Sequence, residues 1–290
     1  MQQLAGRVAD SFLFSRGRRL SELNSQNWLL PLSKLEKLLC GGYLILKDYS
    51  EGKFPPRFDD QARTYQGETN YHNSLPGLSA EQVEAGEMRK PFWDADTLAK
   101  YLSSFQRLLK VFEELGIRPK SRLLELGCGH GWMAEFFALC GYSVVGSSLV
   151  PREIQMANRR VASLQAKGVP FDLSFIEAPM ESIDRCVADG LAFDCVYVFE
   201  ALHHAFDWRL TIAAAYRCLR PGGWLVIANE PNRLHTYISY RVGRISNTHE
   251  VGLKRSELIE ALKASGFLRM RVIQPRLDNF VTAHWIAARR

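Results

Sequence analysis

From about residue 120 onward, short β-branched and aromatic runs alternate with helix-length segments of mixed polarity. No other feature of this 290-residue chain limits its fold so tightly. The runs are RLLEL (122–126), SVVGS (143–147), FDLSFI (171–176), FDCVYVF (193–199), WLVIAN (224–229), RMRVI (269–273) and VTAHWIA (281–287). Strands separated by helical stretches pair in parallel, with the helices packed on the sheet. The pattern therefore predicts an α/β fold built on a seven-stranded, mostly parallel sheet with helices on both faces.

Ahead of the first run, Leu98, Tyr101, Leu102, Phe105, Leu108, Leu109, Phe112 and Leu115 recur at three- and four-residue intervals, and Gly116 stands where a terminating glycine belongs. An amphipathic helix is expected there. Residues 50–92 hold Pro55, Pro56, Pro76 and Pro91 amid Gly, Asn and Asp, so an ordered loop or lid with little regular structure is expected. Residues 1–49 read as partly helical. Together these divide the chain into an N-terminal extension or lid over 1–92 and a main domain over 93–290.

The formal charge of +6 is mild and spread out, so nucleic acid is not indicated as a partner. The most concentrated basic stretch, 233–255, sets Arg233, Arg241, Arg244, Lys254 and Arg255 among Tyr237 and Tyr240; it reads either as a solvated loop or as a cap over an anionic substrate. Six cysteines form no CxxC pair, which fits reduced thiols. Cys40-Gly41-Gly42 has no second cysteine pair near it, so no structural zinc or other metal is predicted. The first residues lack a secretory pattern, and no run approaches roughly 18 consecutive apolar residues. A cytoplasmic protein without membrane partners is expected; the sequence sets no oligomeric state.

The first strand runs straight into RLLELGCGHGW, where Gly127, Gly129 and Gly131 alternate with single residues. A dinucleotide fingerprint has the spacing GxGxxG and brings a pyrophosphate against bare amides. Here the spacing is GxGxG, and Glu125 stands two residues before the first glycine. A carboxylate so placed repels a pyrophosphate and suits a ligand with a positive charge.

These residues resemble the first motif, ELGCGxG, of the class I S-adenosylmethionine-dependent methyltransferases. The resemblance covers roughly residues 94–270. VVGSSLVP (144–151), FIEAPME (175–181), FDCVYVFEALHHAFD (193–207) and LRPGGWLVIANEP (219–231) follow as the family's later landmarks, in order. A lone GxGxG would be weak; the ordered set is specific. The resemblance implies a Rossmann-like sheet, S-adenosylmethionine as cofactor and S-adenosylhomocysteine as its product. It further implies that Gly127, Cys128, Gly129 and Gly131 receive the methionine portion with Glu125 near its ammonium group. Glu177 and Ala178 would contact the adenine, and the backbone of Phe199 would accept from the ammonium. The family's usual ribose-binding acid at the end of the second strand falls on Ser148, beside Leu149. Serine lacks the charge and the second oxygen, so restoring an aspartate there is expected to tighten binding.

Methyl transfer from a sulfonium is an in-line displacement that needs alignment and exclusion of water; a base helps only when the acceptor must lose a proton. His203 and His204 follow the fourth strand, and His249 lies after the fifth, so these three are the candidate catalytic residues; a structural or cofactor-shaping role is the other reading for His203 and His204. His235 and Tyr237 after the fifth strand, with Tyr71 and His72 in the polar segment 65–77, are candidate acceptor-binding residues, though the sequence equally allows 65–77 to be a simple packing loop. The expected activity is methylation of a small-molecule acceptor, anionic or natural-product in character, at O, N or C. The alternative is a protein that keeps the fold and runs cyclase, decarboxylase or pericyclase chemistry. An RNA or protein methyltransferase ranks last: no nucleic-acid module is appended, and the fourth strand ends in FEAL where an amine-methylating NPPY motif would stand.

Overall fold

A computed structural model describes residues 12–56, 58–73, 75–187, 191–273 and 283–290. By internal contacts the chain divides into two compact units. One comprises Met1–Glu84 and Arg233–Val251, the other Ala85–Asn232 and Gly252–Arg290.

In the second unit the described strands are β1 (Arg122–Leu126), β2 (Ser143–Ser148), β3 (Asp172–Glu177), β4 (Phe193–Phe199), β5 (Leu219–Pro231), β6 (Arg269–Val272) and β7 (Ala283–Arg289). They form a seven-stranded sheet in the order β3-β2-β1-β4-β5-β7-β6. The first five pair in parallel, while β7 runs antiparallel to both β5 and β6. Each expected run is a strand to within a few residues; Val281 and Thr282 lie outside the described residues. β5 starts earlier than the run 224–229, because Leu219 already pairs with Phe193 before an irregularity shifts the register to Cys195 and Trp224.

The continuous apolar runs follow from burial on both faces. Leu124, Leu126, Val196, Val198, Leu225 and Ile227 pack in one layer, and Leu123, Cys195, Tyr197, Val226 and Trp285 in the other. Each fully buried Leu, Val or Ile contributes about 1.5–3 kcal/mol. The helix Ala95–Glu114 is capped by Asp94, which accepts from the Thr97 amide at 2.8 Å. It buries Phe105, Leu108, Val111 and Phe112, the last stacked on Phe137 at 4.9 Å, and Gly116 follows it at φ +76°.

In the first unit, helices span Phe12–Gln26 and Lys34–Ser50, as the partly helical reading of the N-terminus anticipates. Residues 50–92 depart from the expected loop: Gln61–Asn73 and Ala80–Met88 are helices. The four prolines fall outside both. The helix Gln61–Asn73 carries no apolar stripe because the residues it buries are Thr64, Gly67 and Glu68. Gly67 is needed for close approach, since a Cβ there would collide with the Asn247 carbonyl. Glu68 accepts from the His249 amide at 2.6 Å. The basic stretch is likewise not a solvated loop. His235–Ile238 and Tyr240–Ser246 are helical, Tyr240 is buried, and both the Tyr240 hydroxyl and the Arg244 guanidinium donate to Asp48 at 2.7 Å.

Candidate active site

The strand order reverses between β1 and β4, and open sheets of this kind take ligands outside the carboxyl ends of their strands at that switch point. Register brings the expected cofactor residues to that edge. Leu126 lies opposite Ser147 on one side and Val198 on the other, and Ser148 lies opposite Glu177. The glycine turn after β1, Ser148 and Leu149, Glu177 and Ala178, and Phe199 therefore share one rim.

All three glycines of the turn are left-handed, with φ of +69°, +53° and +78° at Gly127, Gly129 and Gly131. A Cβ on Gly127 would stand 2.5 Å from that of Ala201, and one on Gly131 would strike the Phe175 ring. The turn then enters the helix Trp132–Leu139, which presents its amide end. Cys128 is buried, and its amide donates to the Ser147 carbonyl at 2.8 Å, tying the turn to β2.

Glu125 is 4% exposed and accepts from the Tyr197 hydroxyl at 3.0 Å and from the Ala134 amide. Burial pushes its pKa up to about 8, against the pull of those hydrogen bonds and of the Lys90 charge. Near neutral pH the carboxyl is largely protonated, and it braces the turn against β4 and the following helix. That is a different part from the free negative charge of the sequence argument. Ser148 is buried and donates to Glu153 Oε2 at 2.5 Å. Glu177 is exposed at the end of β3, while Ala178 is buried and its amide donates to the Ser148 carbonyl.

Beyond β4, Leu202–His204 form a short 3-10 turn that sets the His203 and His204 rings 4.2 Å apart. Glu230 of β5 is completely buried beneath this turn. It accepts from the amides of Ala201 at 2.7 Å, Leu202 at 2.9 Å and His203 at 3.2 Å, and from His203 Nδ1 at 2.9 Å. Burial works to raise its pKa, but the His203 ring and the Leu202 and Ala201 amides outweigh it and hold the carboxyl below its ordinary value. Glu200 and Asn229, at the ends of β4 and β5, both adopt positive φ and are joined by a side-chain hydrogen bond. Such non-glycine outliers cluster at functional sites.

Lys90 has its ammonium 5.6 Å from the Trp93 ring and 5.2 Å from that of Tyr101. Burial would lower its pKa, yet Tyr101, Glu87 and Glu200 more than compensate and keep it charged. Arg160 holds this segment by donating to the carbonyls of Met88 at 3.2 Å and Lys90 at 2.7 Å while pairing with Glu135. The sequence reading missed Lys90, Glu153 and Glu230. Only Glu230 left a signal, as the acid of ANEP closing the fifth strand run.

The remaining candidates belong to the first unit. Tyr71 meets Trp28 edge-on at 6.2 Å, His235 Nε2 pairs with Glu250 at 2.7 Å, and Tyr237 is exposed beside Phe54. His249 is buried against the Phe58 ring at 4.1 Å; the His72 side chain lies outside the described residues. This unit also holds a cavity of about 410 Å³, lined by Asp48, Phe58, Arg63, Tyr240, Arg244 and Thr248 among others.

Comparison with known proteins agrees with this fold. The chain is 27% identical over 207 residues to the ubiquinone biosynthesis O-methyltransferase of Paracidovorax citrulli, covering 68% of this chain and 83% of that one. It is 25% identical over 224 residues to the sterol 24-C-methyltransferase of Schizosaccharomyces pombe, covering 72% and 56%. Among solved structures, the magnesium protoporphyrin IX methyltransferase of Synechocystis PCC 6803 with bound S-adenosylhomocysteine shares the fold, with a TM-score of 0.58. It is 14% identical, with 78% of this chain and 99% of that one covered. These similarities do not favour the non-methylating alternative. The family model described as a methyltransferase domain matches residues 91–268, more than half of the chain. The chain thus belongs to that family and is a class I S-adenosylmethionine-dependent methyltransferase with a Rossmann-like fold.

Proposed function

We propose that this cytoplasmic enzyme methylates a hydroxyl group of a small molecule, with His203 as general base. The observation that carries the reading is the buried contact between His203 Nδ1 and Glu230. The carboxylate is already fixed by three backbone amides, so the ring nitrogen facing it is the one that carries a proton. That assigns Nε2 as the atom that takes the acceptor's proton, with Glu230 holding the ring in place. A hydroxyl must lose its proton as it is methylated, and a positioned base contributes about 10²–10⁴-fold to such a step.

The bound cofactor supplies an electrophilic methyl on a sulfonium. The residues present fit it: a turn with three left-handed glycines that bring bare backbone to the rim, polar groups at the switch point, and an amide-rich helix start. The glycine turn, Leu149, Glu177, Ala178 and the Phe199 carbonyl hold and orient it, and Lys90 supplies a positive charge for its carboxylate. Tyr71, His72, His235 and Tyr237 serve acceptor recognition, with His204 and His249 in supporting roles. The O-methyltransferases among the relatives support a hydroxyl acceptor.

The test is methyl incorporation from labelled cofactor into a panel of phenols and catechols bearing carboxylate or alkyl tails. His203→Asn and Glu230→Gln should lower kcat by about 10²–10⁴-fold while leaving S-adenosylhomocysteine binding intact. Full turnover by His203→Asn on a hydroxyl acceptor would overturn the base assignment.

A further inference from the structure

We propose that Glu153 carries the ribose-binding carboxylate that the end of β2 lacks, with Ser148 as the residue that positions it. The proposal rests on the cofactor reading and concerns how this chain fulfils it. Glu153 lies in the first turn of the helix Pro151–Ala166, five residues beyond Ser148. Acids in a first helical turn ordinarily point into solvent; this one is 7% exposed, buried like Ile154, Met156 and Ala157 of the same helix.

Its two oxygens are placed differently. Oε2 accepts from the Ser148 hydroxyl at 2.5 Å, and that hydroxyl in turn accepts from the Val150 amide at 3.1 Å, which fixes the serine rotamer. Oε1 faces the glycine turn. Of the three glycines there, Gly129 is the one whose added Cβ would meet no crowding atom, and the nearest atom to it is Glu153 Oε1, at 3.5 Å. The carboxylate therefore overlies the middle of the turn, between the carboxyl ends of β1 and β2. The Cys128 thiol registers the same arrangement: its pKa is raised by burial first, then by the charges of Glu125 and Glu153.

A vicinal diol is recognised by an acceptor with two oxygens, because each hydroxyl donates one hydrogen bond. Serine alone offers one oxygen and no charge. The pair Ser148–Glu153 restores both features at the rim where the strand itself provides neither. It also changes the expectation for Ser148: its present task is to donate to the carboxylate, so an acid at 148 would set two carboxylates side by side.

Calorimetric titration with S-adenosylhomocysteine and with its 2′,3′-dideoxy analogue tests this. The wild type should bind the parent compound at least about tenfold more tightly than the analogue. Glu153→Gln should weaken the parent by about 10- to 100-fold and leave the analogue unchanged, with an unaltered thermal transition. Equal losses for both ligands, or none for either, would overturn the proposal while leaving the cofactor reading standing. Should the wild type bind neither ligand, the cofactor reading itself falls. If Glu153→Gln does not fold, Glu153→Asp, which withdraws the carboxylate by one methylene, must narrow the preference for the parent; an undiminished preference refutes the role.

Discussion

The buried carboxyl of Glu125 makes the stability of this protein depend on pH in an unusual direction. An ordinary paired carboxylate has a depressed pKa and stabilises the fold at higher pH. Here burial raises the folded value from 4.5 to about 8. Below pH 4.5 both folded and unfolded chains are protonated at this site, and the group has no effect. Between 4.5 and about 8 only the unfolded chain ionises, so stability falls as pH rises; above 8 both forms are ionised and the loss is complete. At 1.36 kcal/mol for each pKa unit, the full span amounts to about 4–5 kcal/mol, with a slope near 1.4 kcal/mol per pH unit. Glu125→Gln has the shape and hydrogen-bonding capacity of the protonated acid and does not titrate. Urea unfolding of wild type and Glu125→Gln at pH 5, 6.5 and 8 isolates the effect, because every other group cancels in the difference. The variant should gain on the wild type steadily with pH, becoming the more stable protein by several kcal/mol at pH 8. Parallel stability curves across that range would show that the carboxyl is not neutral in the folded state and would remove the bracing role assigned to it.

Gly127→Ala should lower stability by about 2–4 kcal/mol, read by thermal unfolding, because its Cβ meets Ala201 and its backbone is left-handed. Arg160→Lys should cost about 1–3 kcal/mol and expose the 88–90 segment to proteolysis, since one ammonium cannot replace a fork that spans two carbonyls and Glu135. Tyr240→Phe should lose about 1–2 kcal/mol by leaving the buried Asp48 one donor short, measured as a shift in the urea midpoint. Ser148→Asp should leave S-adenosylhomocysteine affinity unchanged or weaker in the wild type yet recover it in Glu153→Gln; tighter binding by the single variant would show that Glu153 does not occupy the ribose position.

The sequence by itself determined the sheet and the glycine turn at its carboxyl edge. Two-sided burial demands unbroken apolar strands, and the run RLLEL ending in three spaced glycines marks both a strand and the turn that must follow it. The amphipathic helix at 95–114 was equally legible, since its apolar face and its caps are local in the chain. The helix at 61–73 was not, because it buries Thr64, Gly67 and Glu68 against polar partners far along the chain, and periodicity of apolar residues is blind to such packing. Only the tertiary structure decided the electrostatics of the site. Glu125 reads as a charge in sequence, but burial neutralises it. Glu230 becomes the partner of His203 because β5 lies beside β4, and Glu153 reaches Ser148 because the helix after β2 turns its first acid inward. Charge state and pairing depend on what surrounds a group in space, and neighbours 27 residues apart in sequence, as His203 and Glu230 are, leave no local pattern to read.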